Sequence, residues 1–302
     1  MKAQIAAQIT KVWVGSESTI DLLFTALLTG GHVLLEGVPG IAKTTLVKAF
    51  AATLGCGFRR IQFTPDLLPA DITGTSVLDP RSSEFVLRRG PLFANIVLGD
   101  EINRAPAKTQ SALLEAMQES QVTIDGQTVR LEPPFMVLAT QNPVEHEGVH
   151  LLPEAQLDRF LMKITMGYPS PEAERELLMT YNRPLPPIHA VLDPTTILNL
   201  AAAAAEVFID EELIDYIVRV AIYTRSHSRI RVGASPRASL LLMNASKARA
   251  LLDGRDHVIP DDIRALLPYA LPHRLILTPE AELDDVTPDA IVRELTERVP
   301  FA

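Results

Sequence analysis

Short apolar runs alternate with longer stretches of helical spacing along the first half of the chain. The runs have the length and the polar or turn-forming flanks of buried strands. Strands that alternate with helices in this way predict an α/β domain whose parallel sheet is covered by helices on both faces. The predicted strands are residues 32–36, 58–63, 94–99, 135–140 and 161–166, and the predicted helices are 17–28, 44–54 and 108–119.

Two insertions interrupt this alternation, and each has the pattern of a β-hairpin. Residues 74–77 and 85–88 flank a polar turn at 79–83, and residues 122–124 and 128–131 flank Asp125-Gly126. An Asp-Gly pair between β-like runs is a strong hairpin signal. Because the second hairpin follows directly on the helix at 108–119, we expect it to protrude from the main sheet.

The pattern changes after Tyr168, where prolines mark a connector and everything beyond is predicted to be helical. We therefore expect an α/β domain over residues 1–168, followed by a linker and a small α-helical domain over 169–302. The last residues, 287–302, either complete the helical domain or reach a partner. The predicted helices are 197–207, 211–226, 236–252 and 261–267.

Composition narrows the class of protein. The 302 residues exceed what one hydrophobic core usually supports, and a net charge of −9 argues against a constitutive nucleic-acid binder. Cys56 is the only cysteine, which excludes an intramolecular disulfide and a multi-cysteine zinc site. No apolar run approaches 18 residues and the first residues lack a signal peptide pattern, so we expect a cytoplasmic protein without a membrane span.

The first predicted strand leads into a loop with the pattern of a phosphate-binding site. In such a loop the backbone N–H groups and the following helix N-terminus point at an anion, Lys43 reaches the outer phosphates and the Thr44 hydroxyl ligates Mg²⁺. Ala42 stands where the strict pattern has glycine. The predicted nucleotide-binding residues are Gly37, Val38, Pro39, Gly40, Ile41, Ala42, Lys43, Thr44 and Thr45.

Two carboxylates follow the third predicted strand. Ligands of open α/β sheets bind at the carboxyl ends of the strands, where Asp100 and Glu101 lie. Asp100 is expected to hold Mg²⁺, directly or through water, which leaves Glu101 free to polarise the attacking water. Together the two motifs predict a nucleoside triphosphate hydrolase.

Three further residues are candidates for catalysis, each with a simpler alternative. Asn142 follows the fourth strand, where its amide would orient water, although Asn before Pro143 is also a common turn residue. Arg159 precedes the fifth strand and either stabilises transferred phosphate or pairs with a nearby carboxylate such as Asp158. Arg237 lies at the start of a helix, where a positive charge is unfavourable because of the helix dipole. Either a bound phosphate or exposure of the side chain to solvent would explain an arginine there.

Two other clusters of polar and charged residues are weaker candidates for functional sites. Residues 145–150 contain Glu145, His146, Glu147 and His150, which we interpret as a polar loop rather than a metal site. The pairs Arg88-Arg89 and Asn103-Arg104 would contact a neighbouring subunit, or are ordinary exposed loop residues.

The motifs taken together resemble the MoxR family of AAA+ ATPases over nearly the whole chain. Ala42 is usual in that family, whereas Gly99 and the loop containing His146 and His150 depart from its pattern. The matching segments are GGHVLLEGVPG (30–40), RIQFTPDLLP (60–69), ITG (72–74), GPLFAN (90–95), DEINRAP (100–106), SALLEAM (111–117), ATQNP (139–143), LPEAQLDRF (152–160) and ASPR (234–237).

The resemblance implies a five-stranded P-loop fold with a helical lid, binding of ATP and Mg²⁺, and assembly into a ring, typically a hexamer. It implies that Asn142 is the first sensor, that Arg159 is an arginine finger acting on the next subunit, and that Arg237 is the second sensor. The Asp125-Gly126 hairpin resembles the insertion that marks this clade. Members act as chaperones or remodelling factors, often with von Willebrand factor A domain proteins.

Two rival functions remain open at the level of sequence. One is a helicase-like motor on nucleic acid, which the net negative charge of the chain disfavours. The other is a nucleotide-gated binding switch, in which ATP binding selects partners and hydrolysis does not remodel a client.

Overall fold

The computed structural model describes residues 1–37, 42–141 and 152–301. Its centre is a parallel five-stranded sheet with the order β2-β5-β8-β1-β9, which confirms the α/β prediction. Apolar residues of the inner strands are fully buried, because helices cover both faces of such a sheet. Gln62 at the end of β2 pairs with Asp100 at the end of β5. The strands are β1 (Val33–Gly37), β2 (Phe58–Gln62), β5 (Ile96–Asp100), β8 (Met136–Gln141) and β9 (Met162–Met166).

The helices of the α/β part include all three that the pattern predicts. α1, α4 and α6 were not predicted; α1 buries only Ile5, Ala6 and Ile9, too few apolar positions for a clear period. The helices are α1 (Lys2–Ile9), α2 (Glu17–Leu28), α3 (Lys43–Thr53), α4 (Pro69–Thr73), α5 (Ala107–Glu119) and α6 (Glu154–Leu157).

Both hairpins form as separate two-stranded sheets. β3 (Gly74–Asp79) pairs with β4 (Glu84–Arg89), and β6 (Gln121–Ile124) pairs with β7 (Gln127–Arg130). Asp125 and Gly126 have φ values of 49° and 80°, the left-handed pair that closes a tight hairpin. At the base of the first hairpin, Gly74 has φ 97° and a Cβ there would lie 2.3 Å from a backbone oxygen.

The C-terminal part is helical with one exception. β10 (Ile230–Val232) and β11 (Ile276–Leu277) form a short antiparallel pair, so the expectation of helices alone was wrong; strands this short leave no readable period. α13 buries Ile291, Val292 and Leu295 and so completes the helical domain. The helices are α7 (Pro171–Tyr181), α8 (Pro194–Ala205), α9 (Glu211–Ser226), α10 (Pro236–Leu252), α11 (Pro260–Ala270), α12 (Pro279–Leu283) and α13 (Pro288–Arg298).

The chain divides into two compact units. Unit 1 comprises Met1–Asp21, Leu34–Leu152 and Thr165–Leu198, and unit 2 comprises Leu22–Val33, Pro153–Ile164 and Asn199–Ala302. The domain boundary at 168/169 stays a prediction from the sequence. Among the described residues, no helix is both long and apolar enough to cross a membrane.

Candidate active site

The first part of the candidate site is the start of α3. Ala42 precedes this helix in a left-handed conformation, with φ 59° and ψ 28°. The first turn of α3 contains no acidic residue, and no side chain of the described residues caps it. Its free N–H groups and the positive end of the helix dipole therefore remain available for an anion. Of the predicted nucleotide-binding residues, Val38, Pro39, Gly40 and Ile41 lie outside the described residues. The structure describes Gly37, Ala42, Lys43, Thr44 and Thr45.

Lys43 connects this helix with the acidic residues. Its Nζ donates a hydrogen bond to the Gly37 carbonyl oxygen at 2.7 Å, so the ammonium group lies at the end of β1. Burial lowers the pKa of Lys43, while the negative charges of Asp100, Glu101 and Glu36 act in the opposite direction. The structure thus brings Lys43 and both predicted carboxylates close enough for their charges to interact.

Thr140 on β8 fixes the acidic pair, a role that the sequence did not reveal. Its hydroxyl donates to Asp100 Oδ1 at 2.6 Å and accepts the backbone N–H of Glu101 at 2.9 Å. Glu101 needs this support because its backbone is left-handed, with φ 58° and ψ 51°, a conformation that costs a non-glycine residue free energy. A buried hydroxyl therefore orients Asp100 and Glu101 together.

Two residues of β2 complete the arrangement around these carboxylates. Gln62 Nε2 donates to Glu101 Oε2 at 2.8 Å, and Gln62 Oε1 accepts from Arg60 Nη2 at 2.6 Å. Arg60 also binds Asp100 Oδ2 through Nη2 at 2.7 Å and Nε at 3.1 Å. Arg104 adds an ion pair with Glu101 at 3.3 Å, so it faces its own site rather than standing as a free loop charge. Each acid therefore has a fixed orientation.

The Gly99 departure from the family pattern has a packing explanation. A Cβ at Gly99 would lie 3.1 Å from Ile102 Cγ2 and 3.2 Å from Phe63 Cε2. Both of these side chains are buried, so they fill the space that a larger residue before the acidic pair would occupy.

The two candidate arginines lie in unit 2. Arg159 is half-buried between α6 and β9, and its N–H bonds to the Gln156 carbonyl at 3.2 Å. Arg237 is exposed at the second position of α10, behind the N-cap Ser235. Within the described residues its guanidinium has no hydrogen bond or ion pair, as expected for a group whose ligand is an anion that the chain does not itself supply.

A groove of about 670 Å³ in unit 1 was not found from the sequence. Trp13, Gly15 and Tyr168 line it together with one face of α7. The last residue of α7, Tyr181, donates to the Val12 carbonyl at 3.2 Å and lies 3.4 Å from Thr45 Oγ1. The end of α7, beyond the lining residue Leu177, therefore approaches the first turn of α3.

The remaining predicted residues lie in the segment 142–151. Asn142, Glu145, His146, Glu147 and His150 lie outside the described residues. Within residues 1–37, 42–141 and 152–301, no group of three or more His, Cys, Asp or Glu side chains is placed to hold a metal ion. Asp100 and Thr44 do supply the hard oxygen ligands that Mg²⁺ prefers, so the site fits that cation.

Comparison with known proteins shows the family and agrees with the fold. Residues 32–162 match the model of the ATPase family associated with various cellular activities (AAA), and residues 222–295 match the AAA lid domain. YeaC of Bacillus subtilis is 50% identical over 293 residues, covering 96% of this chain and 92% of YeaC. Chaperone MoxR1 of Mycobacterium tuberculosis is 47% identical over 301 residues, covering 97% of this chain and 80% of MoxR1. A crystal structure from Cytophaga hutchinsonii superposes with a TM-score of 0.93 at 42% identity, covering 99% of this chain and 94% of that one. The chain belongs to the MoxR family of AAA ATPases, with a P-loop α/β fold and a C-terminal helical lid.

Proposed function

We propose that this protein binds ATP with Mg²⁺ and hydrolyses its terminal phosphoanhydride bond. The observation that carries the proposal is the connected set of side chains at the carboxyl ends of β1, β2, β5 and β8. Lys43 lies in the field of two carboxylates, and each carboxylate is oriented by named hydrogen bonds. An oriented cation and two acids at an uncapped helix N-terminus suit phosphate chemistry better than structural support.

Each residue of the site has a distinct role in this proposal. Lys43 and the N–H groups of α3 bind the phosphates, and Thr44 and Asp100 hold Mg²⁺, which neutralises phosphate charge. Glu101 accepts a proton from the attacking water, and Gln62 keeps its carboxylate in place until the substrate is bound. Asn142 orients the water.

We assign the arginines and the oligomer from the family resemblance. Arg237 contacts the nucleotide of its own subunit, and Arg159 is supplied to the site of the next subunit in a hexameric ring. A positive charge placed on the transferred phosphoryl group stabilises negative charge that develops in the transition state.

The groove beside Trp13 is the proposed site of the adenine base. It has the volume of a small-ligand site, and the exposed Tyr168 ring offers apolar surface to a planar base, while Trp13, which is 2% exposed, lines its wall. α7 lines the groove as far as Leu177, and its last residue, Tyr181, approaches Thr45 on the helix that would bind the phosphates.

The work done with ATP is proposed to be remodelling of a protein client, together with a von Willebrand factor A domain partner. The relative MoxR1 is named a chaperone. The β3–β4 hairpin exposes Val77, Leu78, Phe85 and Val86, of which Phe85 is 74% exposed. Exposed apolar surface of this kind marks interaction sites.

Nucleotide binding is tested through Trp13, the only tryptophan of the chain. ATP and ADP should change its fluorescence with a saturable titration, and Lys43→Met should weaken the binding of both nucleotides. Lys48→Met, an exposed lysine on the same helix, is the matched control and should titrate like wild type. A Lys43→Met protein that binds as wild type would refute the phosphate assignment.

The client function is tested with Glu101→Gln, which should keep ATP bound and hold a client in a stable complex. Remodelling predicts that the wild type, but not Glu101→Gln, changes the client's state. Equal effects of both proteins would instead establish the nucleotide-gated switch. ATPase activity stimulated by DNA with a steep salt dependence would establish the motor.

A further inference from the structure

Asp158 lies in unit 2, between α6 and β9, and both of its carboxylate oxygens are engaged. Oδ1 accepts a hydrogen bond from Arg274 Nε at 2.8 Å, and Oδ2 accepts one from the Ser235 hydroxyl at 2.9 Å. These partners are distant in sequence but belong to the same unit. Asp158 is therefore a junction of three segments.

Arg274 anchors this junction in the protein interior. Its side chain is 2% exposed, and all five of its N–H donors find oxygen acceptors. Besides Asp158 Oδ1, these acceptors are the backbone oxygens of Asp158, Phe160, Leu161 and Ala270. A buried guanidinium satisfied in this way holds the segment 158–161 rigidly, because any shift leaves a buried charge with unmade hydrogen bonds.

Ser235 links the junction to helix α10. Its Oγ accepts the backbone N–H of Ala238 at 3.2 Å as the N-cap, and the same hydroxyl donates to Asp158. The preceding residue, Ala234, is held from both sides, since its N–H bonds to Thr224 Oγ1 and its carbonyl accepts Arg225 Nε. The start of α10 thus has one fixed orientation relative to Asp158.

The positions of the two candidate arginines follow from these contacts. Arg159 is the next residue after Asp158, and Arg237 lies two residues after Ser235. One carboxylate therefore holds the backbone that carries Arg159 and the cap of the helix that carries Arg237.

The charge of Arg237 also acts on Arg274. Burial lowers the pKa of Arg274 and the like charge of Arg237 acts in the same direction, while Asp158 opposes both. An anion bound by Arg237 would therefore relieve repulsion within the junction.

We propose that Asp158 is a positioning residue that couples Arg237 to Arg159 through Ser235, so that the arginine reading one ATP site sets the arginine supplied to the next. The inference rests on the proposed function, in which both arginines act on ATP. It adds a physical connection between neighbouring sites that runs inside unit 2, through a single serine–aspartate hydrogen bond.

The first test compares two variants that each remove the N-cap hydroxyl of a helix in unit 2. Ser235→Ala removes a cap together with the bond to Asp158, whereas Thr287→Ala removes only the cap of α13, which bonds Ala290 at 3.2 Å. Ser235→Ala should lower kcat by roughly 10- to 100-fold, the size expected for a misplaced catalytic group, with the ATP dissociation constant within about twofold of wild type. Thr287→Ala should change neither, and Ser235→Thr should restore kcat because it keeps the hydroxyl.

The second test isolates the effect on the neighbouring site. Wild-type subunits are mixed with an excess of Glu101→Gln subunits, which bind ATP without hydrolysing it and still supply Arg159. Adding Ser235→Ala to the silent subunits should slow the wild-type sites, and adding Thr287→Ala should not. If wild type turns over ATP and the two mixtures have equal rates, the coupling is overturned and the proposed function stands. If wild type shows no turnover, both fall.

Discussion

Replacing Thr140 with valine tests the idea that one buried hydroxyl orients both acids. Thr140 is 1% exposed, and valine has nearly the same shape, so packing should be preserved. The change removes the hydrogen bond to Asp100 Oδ1 and leaves the Glu101 N–H without its acceptor. Glu101 would then hold its left-handed backbone with less support.

The expected loss of stability follows from these two contacts. A hydrogen bond to a charged group contributes about 1.5–3 kcal/mol, and a buried N–H left unsatisfied costs about 1–3 kcal/mol. The extra buried methyl group offsets about 0.8 kcal/mol of this. We therefore expect Thr140→Val to lower the free energy of unfolding by about 2–5 kcal/mol.

Urea unfolding and steady-state ATPase measurements are the assays. Thr53→Val is the matched control, because Thr53 is also fully buried but its hydroxyl donates only to the Ala49 carbonyl within its own helix. Thr140→Val should lose most of its turnover while still binding nucleotide. The reasoning is refuted if Thr140→Val is as stable as Thr53→Val and hydrolyses ATP at the wild-type rate.

Three further predictions address single contacts. Arg159→Ala should lower kcat, measured by phosphate release, by about 10³-fold or more. Nucleotide binding, measured by Trp13 fluorescence, should be unchanged. An unchanged kcat would refute the arginine-finger assignment. Arg60→Gln should lower the Mg²⁺ concentration needed for half-maximal ADP binding roughly two- to fivefold, because the partly exposed Arg60 guanidinium no longer competes with Mg²⁺ for Asp100. An unchanged Mg²⁺ concentration would contradict this. Burial holds the pKa of His273 well below 6.5, so the folded protein stays unprotonated there while the unfolded chain binds a proton as pH falls. Stability should fall by about 1.4 kcal/mol per pH unit below pH 6.5 from this group, and His273→Gln should remove that slope in urea unfolding at pH 5 and pH 7.

The centre of the sheet could be read from the sequence because β1, β5 and β8 are short, mostly apolar runs that end in a polar or glycine residue. Gly37, Asp100 and Gln141 end neighbouring strands of the sheet, so the rule that parallel strands end at one edge brought the right residues together. The hairpin at Asp125-Gly126 was equally readable, since that pair takes the two left-handed conformations the turn requires.

The contacts that orient the site could not be read in this way. Gln62 meets Glu101 and Arg60 meets Asp100 only because β2 pairs with β5 in one register, and single-chain patterns do not give cross-strand register. The available signal was a pair of long polar side chains near the carboxyl end of a strand. Asp158 and Arg274 are further apart still, and only the folded unit 2 shows that they form a buried ion pair.

The most direct test of the account is a comparison of ATP binding and phosphate release by wild type and Glu101→Gln at saturating Mg²⁺. The account predicts that both proteins bind ATP with similar affinity, that wild type releases phosphate over many turnovers, and that Glu101→Gln retains ATP with turnover reduced by at least about 10²-fold. Equal phosphate release by the two proteins, or no ATP binding by either, would contradict it.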